Sequence, residues 1–146
     1  MLRLSQRMEE ILLMTCRGNV KSSEIAEVLG ISRQAVSKTL REARAKLTEI
    51  FLRISEILNS DIIRINVNRG FIVLRNRQTG NKIYVLYVPN TGPLVLFSDK
   101  PNCLKANVHF CKEIIKAATE WGLISKETTM DNLDQIIKEI IKRMEE

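Results

Sequence analysis

Between Ser32 and Lys46 five basic side chains stand against one acidic one, and the stretch opens with Ser32, Arg33, Gln34, Ser37 and Lys38. These residue types can read a DNA duplex. An Arg can grip the major-groove edge of guanine with two hydrogen bonds, and a Gln can do the same for adenine. Arg33, Gln34, Ser37 and Lys38 fall within the first two turns of a helix starting after Ser32, the part of a recognition helix that faces base edges. Ser32, Arg41 and Arg44 are better placed for phosphates, contacts that fix register without reading sequence. A solvated basic face with no nucleic acid on it is the plainer alternative for the same residues.

Other chemistry finds little support. Cys103, His109 and Cys111 are the one grouping with metal-ligand character. His109 and Cys111 are two apart, so on a helix they face different ways, and no fourth ligand is evident. No metal and no cofactor is expected. Three cysteines without a CxxC argue against a disulfide framework and for buried thiols. No phosphate-binding or dinucleotide glycine motif is present, and Arg69-Gly70 and Thr79-Gly80 are turn signals. With a single His and no Ser or Cys in a nucleophile context, no catalytic residue is assigned and no enzyme is expected.

A reading helix needs a partner helix to set its angle, and the sequence supplies one. A short helix is expected from about Ser22 to Leu29, broken at Gly30, with Ser32 capping the next. Ala26 stands where two helices cross closely and only a small side chain fits. Gly30 falls in the turn, where a positive φ is expected. Ile25, Leu29, Ile31, Val36 and Leu40 fill the small core between the helices, the spacing of a helix-turn-helix. An earlier helix, capped by Ser5 and stopped at Gly18-Asn19, carries Met8, Ile11 and Leu12 on one face.

The residues Leu4-Ser5-Gln6-Arg7, Glu10-Ile11-Leu12, Gly18 and Glu24 through Ser37 resemble the archaeal Tfx-type transcriptional regulators. They are similar, more distantly, to region 4 of bacterial sigma factors and to response-regulator DNA-binding domains. The resemblance implies a transcriptional role and DNA contact through the second helix of the motif. It covers roughly the first 50 residues. Lys21 stands where the family usually has a Ser or Thr cap, which places the cap at Ser22, and the hairpin around Phe71–Val88 is an addition to the family pattern.

Beyond the motif three zones follow one another. The helical zone runs to about Leu58. A strand-like zone runs from Asp61 to about Phe97. There Ile63, Ile65 and Val67 alternate with Arg64, Asn66 and Asn68, the pattern of a half-buried strand, and the runs Phe71–Asn76 and Lys82–Val88 flank the turn Gln78-Thr79-Gly80-Asn81. Residues 94–97 form a fourth short run. The last zone, from about Ala106, has two helical stripes: Cys111, Ile114, Ile115, Ala118 and Trp121, ended by Gly122, then Leu133, Ile136, Ile137, Ile140, Ile141 and Met144. The expected fold is α+β: an N-terminal helix-turn-helix with a long third helix, a small antiparallel sheet and two C-terminal helices. The expected division is residues 1–59 for DNA and residues 60–146 for dimerisation or sensing.

From Val36 the apolar residues step by four and three through Leu40, Ala43, Leu47, Ile50, Ile54 and Ile57, a coiled-coil spacing. Leu47, Ile50, Ile54 and Ile57 are therefore one expected dimer seam, and the tail stripe around Ile137 and Ile141 is another. Both stripes would equally serve the chain's own core, and Phe51 and Leu58 make the first broader than a two-stranded seam needs.

Charge is uneven. The chain carries a formal +6, distributed as +3 over residues 1–59, +5 over 60–105 and −2 over 106–146. A polyanion should meet the first two-thirds and avoid the tail. No apolar run is long enough for a membrane span, and charges interrupt the N-terminus at once, so a cytoplasmic protein is expected. The expected function is sequence-specific binding of double-stranded DNA by a homodimeric transcription regulator. Two alternatives remain open: a protein-interaction module with a silent helix-turn-helix, and a sensor whose DNA binding answers to a small-molecule effector held in residues 60–146, with Tyr84, Tyr87 and Phe97 available to line a pocket.

Overall fold

The computed structural model describes residues 2–18, 20–97, 99, 101–104, 107–125 and 132–146. Asn19 and Ala106, named above as boundaries, lie outside that set. Among the described residues the order is α1 (Gln6–Cys16), α2 (Ser22–Leu29), α3 (Arg33–Ile57), β1 (Ser60–Asn66), β2 (Phe71–Asn76), β3 (Lys82–Val88), β4 (Gly92–Leu96), α4 (Val108–Glu120) and α5 (Leu133–Glu145). The strands form one antiparallel sheet in sequence order, β1-β2-β3-β4. The α+β architecture read from the sequence is the one observed.

The meander is built by short connections. Tight turns join β1 to β2 and β2 to β3, and Asn76 closes the second by accepting from the backbone of Gln78 and Thr79 on its Oδ1. β2 and β3 are buried along nearly their whole length, which requires cover on both faces. Tyr84 and Tyr87 are three apart on β3 and so point to opposite faces. The Tyr84 hydroxyl meets Glu145 of α5, whereas the Tyr87 hydroxyl meets Glu9 of α1. The sheet is therefore a middle layer, with α1 and α3 on one face and α4 and α5 on the other.

One cluster unites these layers. It takes Leu47, Ile50, Phe51 and Ile54 from α3, the centres of β2 and β3, and Ile114, Trp121, Ile137 and Ile141 from the tail. The boundary expected near residue 60 runs through this shared core. A smaller cluster of Ile11, Ile25, Ala26 and Val36, flanked by Leu29, Ile31 and Leu40, holds the helix-turn-helix together.

Two sequence expectations are corrected by packing. Ile63 and Ile65 do not form a buried stripe; they are 48% and 44% exposed. β1 is an edge strand, and a bulge between Ile62 and Arg64 breaks the alternation there. Cys103 and Cys111 are disulfide-bonded rather than free thiols. They are eight residues apart, and the chain entering α4 brings their Cα atoms to 5.9 Å, within disulfide reach. Cys16 alone is a free, buried thiol, and burial pushes its pKa up. Among the described residues no group of His, Cys, Asp or Glu could hold a metal ion, and no helix is long and apolar enough to cross a membrane.

Candidate nucleic-acid interface

The angle between α2 and α3 depends on three residues. Gly30 adopts φ 68°, a left-handed conformation that side chains resist. The Ile31 amide then donates back to Ala26 O at 3.0 Å and the Gly30 amide to Glu27 O, the paired closure that ends a helix around such a glycine. Two residues on, the Ser32 hydroxyl accepts from the Ala35 amide at 3.1 Å and starts α3. Ile25 and Val36 meet in the small core behind this turn, so α3 leaves it at a fixed angle. Ser5 caps α1 in the same way through the Met8 amide.

Opposite that core the N-terminal turns of α3 are bare. Ser32, Arg33, Gln34, Ser37, Lys38 and Arg41 are all exposed. Arg33, Gln34, Ser37 and Arg41 line one side of a cleft of about 570 Å³ whose other side is Lys21, Ser22 and Ser23 at the start of α2. Arg44 departs from the rest. It lies eleven residues, about three turns, beyond Arg33 and on the flank of α3's buried stripe. It is half-buried there, and its Nε has no hydrogen-bond partner.

The start of α2 is the part that residue-by-residue reading missed. Lys21, not Ser22, occupies the N-cap, and no side chain caps the helix. The hydroxyl expected to cap from Ser22 already belongs to the first helical residue and cannot reach back. The missing cap leaves backbone N–H groups and the positive end of the α2 dipole beside Lys21, an arrangement that favours an anionic oxygen. The signal available in the sequence was Lys21 itself, a cation where a capping hydroxyl belongs.

Residues 1–47 match the family model "Sigma-70, region 4".

That segment ends at Leu47 and contains α1, α2 and the first turns of α3, the elements that form the cleft. The match makes the N-terminal third similar to the helix-turn-helix of a DNA-binding family. It supports the region-4 likeness read from the sequence and leaves the archaeal Tfx type as a resemblance. No curated protein and no solved structure matches the chain.

The residues expected to join subunits sit elsewhere. Leu47, Ile50, Ile54, Ile137 and Ile141 are buried within the single chain, facing the sheet or one another's layer. Of that set Ile57 alone is exposed, at 69%. The breadth added by Phe51 and Leu58 fits a helix packed on a sheet. Tyr84 and Tyr87 are core residues with bonded hydroxyls, and Phe97 is 64% exposed.

Proposed function

We propose that the chain is a sequence-specific regulator of transcription that binds double-stranded DNA, with residues 32–46 as the recognition helix in the major groove. The observation that carries this reading is the cleft itself. Arg33, Gln34, Ser37 and Arg41 share its wall on the exposed side of α3, facing the uncapped start of α2 and Lys21. Base-reading groups and phosphate-binding groups thus lie side by side, as a reader needs in order to fix register and sequence together.

The reader works as a homodimer. One motif of this size buries about 600–1,000 Å² on DNA, which gives modest specificity, whereas two copies about 34 Å apart meet successive major grooves on one face. With the α3 and α5 stripes used inside the chain, the large apolar side chains exposed among the described residues are Val28, Leu52, Ile57, Ile63, Ile65, Phe97 and Leu104, and the group on α3 and the β1 edge, Leu52, Ile57, Ile63 and Ile65, is the one assigned here to pairing.

Selection of bound sequences from random DNA supplies the target. On it, Arg33→Ala should cost about 1–3 kcal/mol and flatten discrimination at one base pair. Arg41→Ala, at the exposed phosphate-binding position in the cleft wall, should weaken all sequences alike and lower the salt slope by about 1. Identical effects of the two changes across a panel of DNA variants would overturn the assignment of readers and anchors. A protein-interaction module would bind none of the selected DNA. A monomer by light scattering at tens of micromolar, protecting one half-site, would remove the dimer.

A further inference from the structure

The sheet face turned toward α5 carries a concentration of positive charge that the DNA reader does not use. Arg75 of β2 and Lys82 of β3 are direct cross-strand partners. Arg64 of β1 pairs with Val73, two residues before Arg75, and so stands on the same face. Like charges placed opposite each other on a sheet repel unless an anion lies between them. Ile63, Arg64, Val73, Arg75, Lys82 and Glu145 line a recess of about 350 Å³ at this point.

One carboxylate enters the recess. Glu145 Oε1 accepts from Lys82 Nζ at 2.6 Å and from the Tyr84 hydroxyl at 3.1 Å. Lys82 and Tyr84 alone would suffice to dock the end of α5. The two arginines exceed that need. Arg64 donates from Nη1 to the backbone oxygen of Glu145, and Arg75 from Nη1 to Gly80 O, so both guanidinium groups keep further N–H donors free. Three cations thus face a single carboxylate in the lining, an excess of two positive charges there, because Asp61, the β1 partner of Arg75, is engaged outside the lining by Arg77 at 2.9 Å. The floor at Val73 is apolar, and the rim is open to solvent.

We propose that this recess is a binding site for a small phosphoryl dianion, with Glu145 as its internal occupant. The dianion matches the excess charge, and Arg side chains present planar pairs of donors suited to phosphoryl oxygens. The ligand takes the place of the Glu145 carboxylate on Lys82 and Tyr84 and adds contacts to Arg64 and Arg75. Binding therefore releases the last turn of α5 from the sheet, which couples the site to how the tail packs. The volume accommodates a phosphoryl group with a small organic body, so inorganic phosphate is the minimal ligand.

Calorimetric titration of the full chain with inorganic phosphate tests this in low-salt buffer without DNA, so its outcome is separate from that of the DNA-binding reading. Glu145→Gln keeps the shape and removes the competing charge. Removing a unit charge at contact distance near a protein surface should raise phosphate affinity by at least roughly tenfold. Arg75→Gln, at an exposed side chain with one backbone contact, should keep the fold by circular dichroism and lose most of the binding. A phosphorylated sugar binding more tightly than phosphate supports a metabolite as the natural source. Succinate binding as tightly as phosphate would refute the phosphoryl assignment. So would the absence of binding heat in both parent and Glu145→Gln, equal affinity in those two, or unchanged affinity in Arg75→Gln. A loss of DNA affinity in Arg75→Gln with no phosphate binding would instead assign the recess to the DNA backbone and overturn the proposal.

Discussion

Tyr87→Phe should destabilise the protein far more than the loss of one oxygen suggests. The Tyr87 hydroxyl is buried between two partners: it donates to Glu9 Oε2 at 2.6 Å and accepts from the Leu4 amide at 2.8 Å. Glu9 is itself buried, and among the described residues its other donor is the Asn90 amide at 2.9 Å, on the same Oε2. Removing the hydroxyl leaves a buried N–H without an acceptor, worth about 1–3 kcal/mol. It also removes from a buried carboxylate a charge-assisted bond worth about 1.5–3 kcal/mol. The two losses share one site and do not simply add, so a net cost of about 3 kcal/mol is expected. With a urea m value of about 2 kcal/mol/M, the unfolding midpoint should fall by about 1.5 M. Hydrogen exchange gives the specific readout: the Leu4 amide should lose its protection even where the core amides of β2 keep theirs. A midpoint shift below about 0.3 M, or an unchanged Leu4 amide, would refute the view that this network anchors the N-terminal segment and α1 to the sheet.

Gly30→Ala meets no neighbouring atom but must hold φ 68°, so it should cost about 1–2 kcal/mol in a melt. Gly70→Ala adds a clash with the Trp121 ring to a similar positive φ and should cost more than twice as much by the same measurement. Ile50→Glu and Ile137→Glu should unfold the chain, whereas Ile57→Glu should leave a folded protein by circular dichroism; folded monomers from the first two would restore the seams as dimer contacts. Above pH 10 stability should decline. Burial, then the hydrogen bonds to Glu145 and Glu9, raise the pKa of Tyr84 and Tyr87 above the ordinary 10.0, so the unfolded chain ionises first and gains. Tyr87→Phe should shallow that alkaline loss; an unchanged pH profile would contradict the shift.

What the sequence showed and what it concealed divide along a physical line. The helix-turn-helix is a local object: Ser32 caps three residues ahead, Gly30 turns the chain, and Ile25 and Val36 meet across that turn. Every determinant lies within about twenty residues, so residue type and spacing suffice. The hairpin around Gly80 and the ends of α4 and α5 were legible for the same reason. The apolar stripes of α3 and α5 were equally visible, but a stripe states only that a face must be covered. Whether a second copy or the chain's own sheet covers it depends on how the layers stack. Ile63 and Ile65 alternate like buried residues, yet alternation says nothing of a strand's place at the edge or of a bulge.

The basic recess is concealed by the same kind of distance. Arg64, Arg75, Lys82 and Glu145 are spread over more than half the chain, and nothing in their spacing marks them as a group. Register does: pairing Arg75 with Lys82 fixes two cations side by side, and the docking of α5 sets a carboxylate on Lys82. Electrostatics then gives the arrangement a sign. Hydrogen bonding from Lys82 holds the Glu145 carboxyl below the usual glutamate range. Stability from that contact is present at neutral pH and is lost as acid protonates Glu145 below pH 4.5, the value it has when free. An anion that takes the same cations at neutral pH removes the same contact. Acid and ligand should therefore loosen the same turn of α5, and hydrogen exchange near Met144 should report both. If acid frees that turn while phosphate leaves it protected, Glu145 is a structural clamp and the recess is not its competitor's site.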